Sequence, residues 1–184
     1  MDHLLEKFAK ILCGTLDNQA QIDRERAAGK QIHPYARHVT DICNHKIINR
    51  PENHDGLYIL EESYYVKPSA EVMELKPLLF YVRSDGESKV LLNSVQIPAH
   101  FTKEQARNDN KTFIMNFDDL EIRTFGTAEY RLQNDGSFNV DHKADMGGGV
   151  TFRLIETLSK DGLDVMELVH KLSLIHISEP TRPY

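Results

Sequence analysis

Residues 57–67 read LYILEESYYVK, a run of apolar and aromatic side chains with two carboxylates in its middle. The composition predicts a β-strand. Side chains of a strand alternate between its faces, so Glu61 shares one face with Leu57, Ile59 and Tyr65. Glu62 shares the other with Tyr58, Leu60, Tyr64 and Val66. Whichever face is interior carries an acid, and a buried carboxylate is costly unless it is paired or serves a site. The stretch therefore decides two things together: the chain builds a sheet, and that sheet holds a polar group inside.

Downstream the pattern repeats. Apolar runs predict strands over about 78–84, 89–97, 113–117, 120–124, 127–133, 137–142, 150–158 and 163–170. Asp85-Gly86, Asp135-Gly136 and Asp161-Gly162 each separate two such runs, a strong hairpin signal. A short helix is expected near His100–Asn108, and Met146-Gly147-Gly148-Gly149 reads as a turn or bulge. Upstream, Leu4, Leu5, Phe8, Ile11 and Leu12 recur at helical spacing and predict an amphipathic helix over 2–13, with Gly14 at its end. Asn18 is placed to cap a second helix running to about Ala28, stopped by Gly29. Tyr35–Cys43 reads as extended, and 49–56 as a loop dense in turn formers.

Consecutive short strands after one helix describe an antiparallel meander, which removes its edges best by closing into a barrel. The expected architecture is one α+β, mainly β domain over 1–171: an antiparallel β-barrel with the N-terminal helix packed on one end. Two packed sheets are the alternative. A barrel of this size can enclose one small ligand or be filled by its own side chains.

Residues 172–184, LSLIHISEPTRPY, match the in-frame translation of a transposase-type sequencing adapter and are set aside from the fold. The stretch holds Glu179 and Arg182, so the net charge of -6 is the same without it. The natural chain is then expected to continue past Lys171, and a missing last strand would leave a barrel open at one edge.

The charge is mildly acidic with both signs mixed, and no basic stripe offers a surface to nucleic acid. No basic region followed by an apolar run opens the chain and no segment could span a bilayer, so a cytoplasmic protein is expected. Cys13 and Cys43 fit no zinc or redox spacing and read as reduced, buried small hydrophobes. The histidines His33, His38, His45 and His54 lie at irregular intervals, so no metal site is expected. The triple glycine 147–149 lacks the Gly-Lys-Ser/Thr of a phosphate loop, and no Gly-x-Ser-x-Gly elbow is present.

Three segments remain: LDNQAQ (16–21), HPYARHV (33–39) and the glutamate strand. In that order and rough spacing, over about residues 8–66, they resemble the CpcT/CpeT-type phycobiliprotein chromophore lyase family. LDNQAQ is similar to the family's Phe-Ser/Asp-Asn-x-x-Gln motif at Leu16, Asp17, Asn18 and Gln21, and DGLYILEES to its Gly-x-x-φ-φ-Glu-Gln strand (φ, apolar), with Glu62 at the glutamine. The chain departs from the family at KPLLFYVR, where Leu78 and Leu79 stand in place of a Tyr-Arg pair and Arg83 comes later. The missing arginine removes a bidentate partner for bilin propionates. The resemblance implies a calycin-like barrel whose cavity takes a linear tetrapyrrole, with Glu61 facing the cavity as the catalytic acid–base group. Burial would raise the pKa of Glu61 and favour that role. It further implies ligand-binding roles for Asn18, Gln21, His38, Glu62 and Tyr65, with Asn18 or His38 near the rim. A bilin would be substrate or ligand rather than resident cofactor, and a cysteine of an acceptor protein the partner. A non-catalytic ligand-binding or structural barrel is the alternative.

Overall fold

The structure, a computed structural model, describes residues 2–66, 72–123 and 126–171; the 172–184 stretch lies outside them. In chain order the elements are α1 (His3–Leu12), β1 (Gly14–Asp17), α2 (Gln19–Ala27), β2 (Tyr35–Ile42), β3 (Ile47–Ile48), β4 (Leu57–Val66), β5 (Glu74–Ser84), β6 (Lys89–Gln96), β7 (Met115–Asn116), β8 (Glu121–Ile122), β9 (Ala128–Leu132), β10 (Phe138–Gly147), β11 (Val150–Ser159) and β12 (Gly162–Lys171).

One antiparallel sheet runs β1-β2-β4-β5-β6-β9-β10-β11-β12, with β8 sharing β6 beyond β9, and curls into a nearly closed barrel. Among the described residues, β1 and β12 are the two ends of the sheet and do not pair with each other. A separate parallel pair joins β3 to β7. The deciding strand, β4, spans 57–66 as its sequence dictates. The Gly56 that precedes it sits at φ 90° with a Cβ position only 2.6 Å from the Val82 carbonyl oxygen, so only glycine fits. At the triple glycine, β10 and β11 turn back on each other with a bulge between Asp145 and Gly147.

α1 starts where the Asp2 carboxylate accepts the Leu4 amide at 2.8 Å as an N-cap, and a hydrogen bond with the Ser84 side chain, together with this amide, holds the carboxyl below its usual range. Its apolar stripe, Leu4, Leu5, Phe8, Ala9 and Leu12, lies on the inner face of the sheet against Leu57, Ile59, Val82 and Phe138. Phe8 meets the rings of Tyr130 and Phe138 edge-on at 5.0 and 5.1 Å. The helix therefore plugs one end of the barrel.

The outer face of β4 and β5 is covered too. Tyr58, Leu60, Leu79, Tyr81 and Val95 pack under Ala106, Phe113 and Met115 of the long β6–β9 connection. This second core explains two differences from the sequence expectation. The runs at 113–117 and 120–124 form only two-residue strands, because Phe113 and Met115 are buried against the sheet instead of joining it. The expected helix at 100–108 is a series of turns, since the Asn108 amide goes to the Glu62 carboxylate at 2.8 Å rather than to a helical carbonyl. Separately, β1, unanticipated, pairs with β2 across α2.

Candidate functional site

The inner face changes character halfway along the barrel. Beyond the apolar plug, the register aligns Thr40, Glu61 and Leu78 across β2, β4 and β5, then His38, Ser63 and Lys76, then Ala36, Tyr65 and Glu74. Glu61 therefore points inward with Tyr65, as strand alternation requires, and faces His38 diagonally. The Ser63 hydroxyl donates to Glu61 Oε1 at 2.6 Å, and His38 Nδ1 lies 3.0 Å from both that oxygen and Ser63 Oγ. The Tyr65 ring stands edge-on to His38 at 5.8 Å. The hydrogen bond to Glu61 raises the His38 pKa against the opposing pull of burial, and the charges of Glu167 and Glu156 add to the rise.

A second carboxyl closes the band. Glu156 of β11, 8 % exposed, accepts the hydroxyl of the buried Tyr130 at 3.1 Å. Burial pushes its pKa up to about 7; the Tyr130 bond opposes the rise, and the nearby charges of Glu61 and Glu167 add to it. Burial, with Glu156 alongside, drives the Tyr130 hydroxyl well above its usual value. Glu167 belongs to the same face through its register with Leu154.

This arrangement limits the chemistry. A nucleophilic relay needs its serine on one imidazole nitrogen and its acid on the other. Here Ser63 and Glu61 crowd the same nitrogen, so Ser63 is not activated. Burial, aided by the Asp41 charge, pushes the Cys13 thiol up to about 11. Burial likewise pushes Cys43 to about 12, so neither sulfur is a ready nucleophile. What remains is a surface of acceptors for N–H groups and one carboxyl that exchanges its proton near neutrality. Among the described residues, no three His, Cys, Asp or Glu side chains converge to hold a metal ion, and no helix is long and apolar enough to cross a membrane.

The other residues singled out from the sequence lie apart from this band. Glu62 is 3 % exposed on the outer face, bonded to the Tyr64 hydroxyl at 2.5 Å and the Asn108 amide, with Arg107 Nε at 3.4 Å. It pins the covering segment and does not reach the interior. Asn18 holds the chain at the opening: its side chain donates to the Pro34 carbonyl at 3.0 Å and accepts the Ala36 amide at 2.8 Å, beside the strand position facing Tyr65. Gln21 lies further out, its amide 3.1 Å from His33 Nδ1. Ser63, Tyr130, Glu156 and Glu167 escaped the sequence reading. The signal for Glu156 was present: in VTFRLIETLS it alternates in phase with Phe152, Leu154 and Leu158, the same argument that brings Glu61 inside.

A cavity of about 550 Å³ lies elsewhere. It is an outer groove where β9 and β10 part after two paired positions, lined by Thr127, Glu129, Arg131, Asn139 and Asp141 and reaching Glu156. Glu61 does not line it. Compared with protein families, characterised proteins and solved structures, the chain matches none.

Proposed function

We propose that the barrel binds a small, partly apolar molecule that offers N–H donors to Glu61 and Glu156, and that a linear tetrapyrrole is the class to test first. The carrying observation is the polar band itself. A barrel filled only for stability has no use for Glu61 and Glu156 on its inner face beside His38, because each desolvated carboxylate costs free energy that an apolar side chain would not. The apolar plug below the band and Tyr65 above it provide surfaces for a flat, apolar body. The likeness of LDNQAQ, HPYARHV and DGLYILEES to the CpcT/CpeT-type lyases favours the bilin class. Among the described residues the band holds no arginine, so bilin propionates would lie outward near Lys76, whose ammonium sits 5.5 Å from the Tyr65 ring centre.

Lyase chemistry is the second reading, favoured by Glu156, a buried acid that changes protonation near neutral pH. The nucleophilic sulfur would then come from an acceptor protein, since both thiols of this chain are suppressed. Binding without chemistry needs the band only as a hydrogen-bonding surface.

Titration with biliverdin, followed by visible absorbance, tests the reading. A saturable band shift that is lost in Glu61→Gln supports a bilin held by that acid. A shift that survives the substitution indicates a carrier that does not depend on Glu61, and no shift from a folded protein rules out the bilin.

A further inference from the structure

We propose that the loop between β3 and β4 binds a phosphate group, held between the Arg50 guanidinium and the His54 imidazole. Arg50 Nη1 and His54 Nε2 are both shielded from solvent, and neither has a hydrogen-bond partner among the described residues. Buried polar groups are almost always hydrogen-bonded, so two such nitrogens in one short loop call for an acceptor that the loop itself does not supply. A shielded guanidinium nitrogen also calls for a counter-charge. Among the described residues no carboxylate pairs with Arg50: Asp55 takes the Tyr81 hydroxyl at 3.3 Å, and Glu52 is exposed and bonds to neither group.

The two groups are neighbours. The His54 amide donates to the Pro51 carbonyl at 3.0 Å, a tight turn that folds the loop back on itself. Burial lowers the His54 pKa, and the nearby Arg50 charge lowers it further against the opposing charge of Asp55. The loop is built to hold one shape. Asn49 takes the left-handed conformation at φ 58°, uncommon outside glycine, and its side-chain amide donates to Asn116 Oδ1 at 3.3 Å. At the other end the Asn44 side chain donates to the Gly56 carbonyl at 3.3 Å and accepts the Tyr58 amide at 2.5 Å, while the Tyr81 hydroxyl donates to the Asp55 carbonyl at 2.8 Å. The rings of Tyr58, Tyr81 and Phe117 stand around His54 with centres 5.6, 5.1 and 4.9 Å away, and this clamp fixes the direction of Nε2. Arg50 and a protonated His54 bring two positive charges, which a phosphate dianion matches and a carboxylate does not. The charged and titratable groups around the imidazole are Arg50 and Asp55 of the loop, Tyr58 of β4 and Tyr81 of β5. Both tyrosines belong to the outer core, so the site stands whether or not the barrel binds a bilin.

Isothermal titration calorimetry on the 184-residue chain, with inorganic phosphate at constant ionic strength in chloride, should show one saturable site. Glycerol phosphate distinguishes the sources: tighter binding than inorganic phosphate assigns the site to a phosphate ester, and weaker binding assigns it to free phosphate. Acetate should bind at least about ten-fold more weakly than phosphate. Arg50→Gln should weaken phosphate binding by about ten-fold or more through the loss of a charge-assisted hydrogen bond. His54→Phe keeps the ring packing, removes the donor and should do the same; Arg50→Lys, which loses the planar fork, serves in place of either variant that fails to fold by circular dichroism. A pH titration of the His54 ring by NMR gives a readout that a structural role would leave unmoved: phosphate should raise its pKa, because the anion favours the protonated imidazole. Absence of saturable binding overturns the proposal. So does acetate bound as tightly as phosphate, or phosphate binding that survives both substitutions or leaves the His54 titration where chloride sets it.

Discussion

Glu156 ties the protonation of one side chain to the stability of the fold. Its carboxyl has a folded pKa of about 7 against an ordinary 4.5, so the folded state holds this proton more tightly than the unfolded chain does. The stabilisation from that proton is complete below about pH 4.5 and is lost as pH rises through about 7. The shift corresponds to about 3 kcal/mol. His38 acts in the same direction, because Glu61 raises its folded pKa and the stability it contributes also fades on the alkaline side. Glu156→Gln keeps an acceptor for the Tyr130 hydroxyl and removes the ionisation. The variant should match wild type near pH 4 in urea denaturation and exceed it by up to about 3 kcal/mol at pH 8; parallel pH profiles would show that Glu156 is not held protonated. The inward direction of Glu61 was legible, because alternation in LYILEESYYVK leaves no other choice once Leu57 and Ile59 are core. Its partner was not. The meeting of His38 with Glu61 depends on the β2–β4 register, which is fixed by α2 and by the Asn18 side chain gripping Pro34 and Ala36.

At the scale of elements, β4 is buried on both faces, and its two adjacent acids divide into two jobs. Glu61 serves the interior, whereas Glu62 fastens the β6–β9 connection by accepting the Asn108 amide while the Asn108 side chain bonds the Val39 and Leu60 carbonyls at 3.0 and 3.3 Å. Glu62→Ala leaves a buried amide without its acceptor, a loss of about 1–3 kcal/mol. Amide exchange should accelerate at Asn108 and along the covering segment, while any ligand response of the barrel stays as in wild type. Equal loss of both would mean that the two faces are one functional unit. This division also marks the limit of the sequence reading between residues 97 and 127. Periodicity there correctly registered buried apolar residues such as Phe113 and Met115, but a residue buried under a loop and a residue buried within a strand leave the same mark. The Asp-Gly hairpins, by contrast, were legible because the turn chemistry is local.

For the molecule as a whole, the meander could be read from the chain, but the state of its two ends could not. Among the described residues β1 and β12 do not pair, and whether two such strands meet depends on tilt and strand length summed over the sheet, which no local pattern in either encodes. The result is a barrel of unequal ends. Near α1, Phe8 is 1 % exposed and joins residues from β4, β5, β6, β9, β10 and β11 in one core, whereas at the opposite end Val169 of β12 is 69 % exposed. Burial on that scale sets the cost of truncation. Phe8→Ala should destabilise the fold by about 3–5 kcal/mol, and Val169→Ala by no more than about 0.5 kcal/mol. Because the helix side chains belong to the same core as the strands, the large loss should appear as one cooperative shift of the urea midpoint seen alike by far-UV circular dichroism and tyrosine fluorescence. Two separated transitions would mean that α1 unfolds from a barrel able to stand without it. The polar band above the plug would then rest on the strands alone, and the closed end would be a lid.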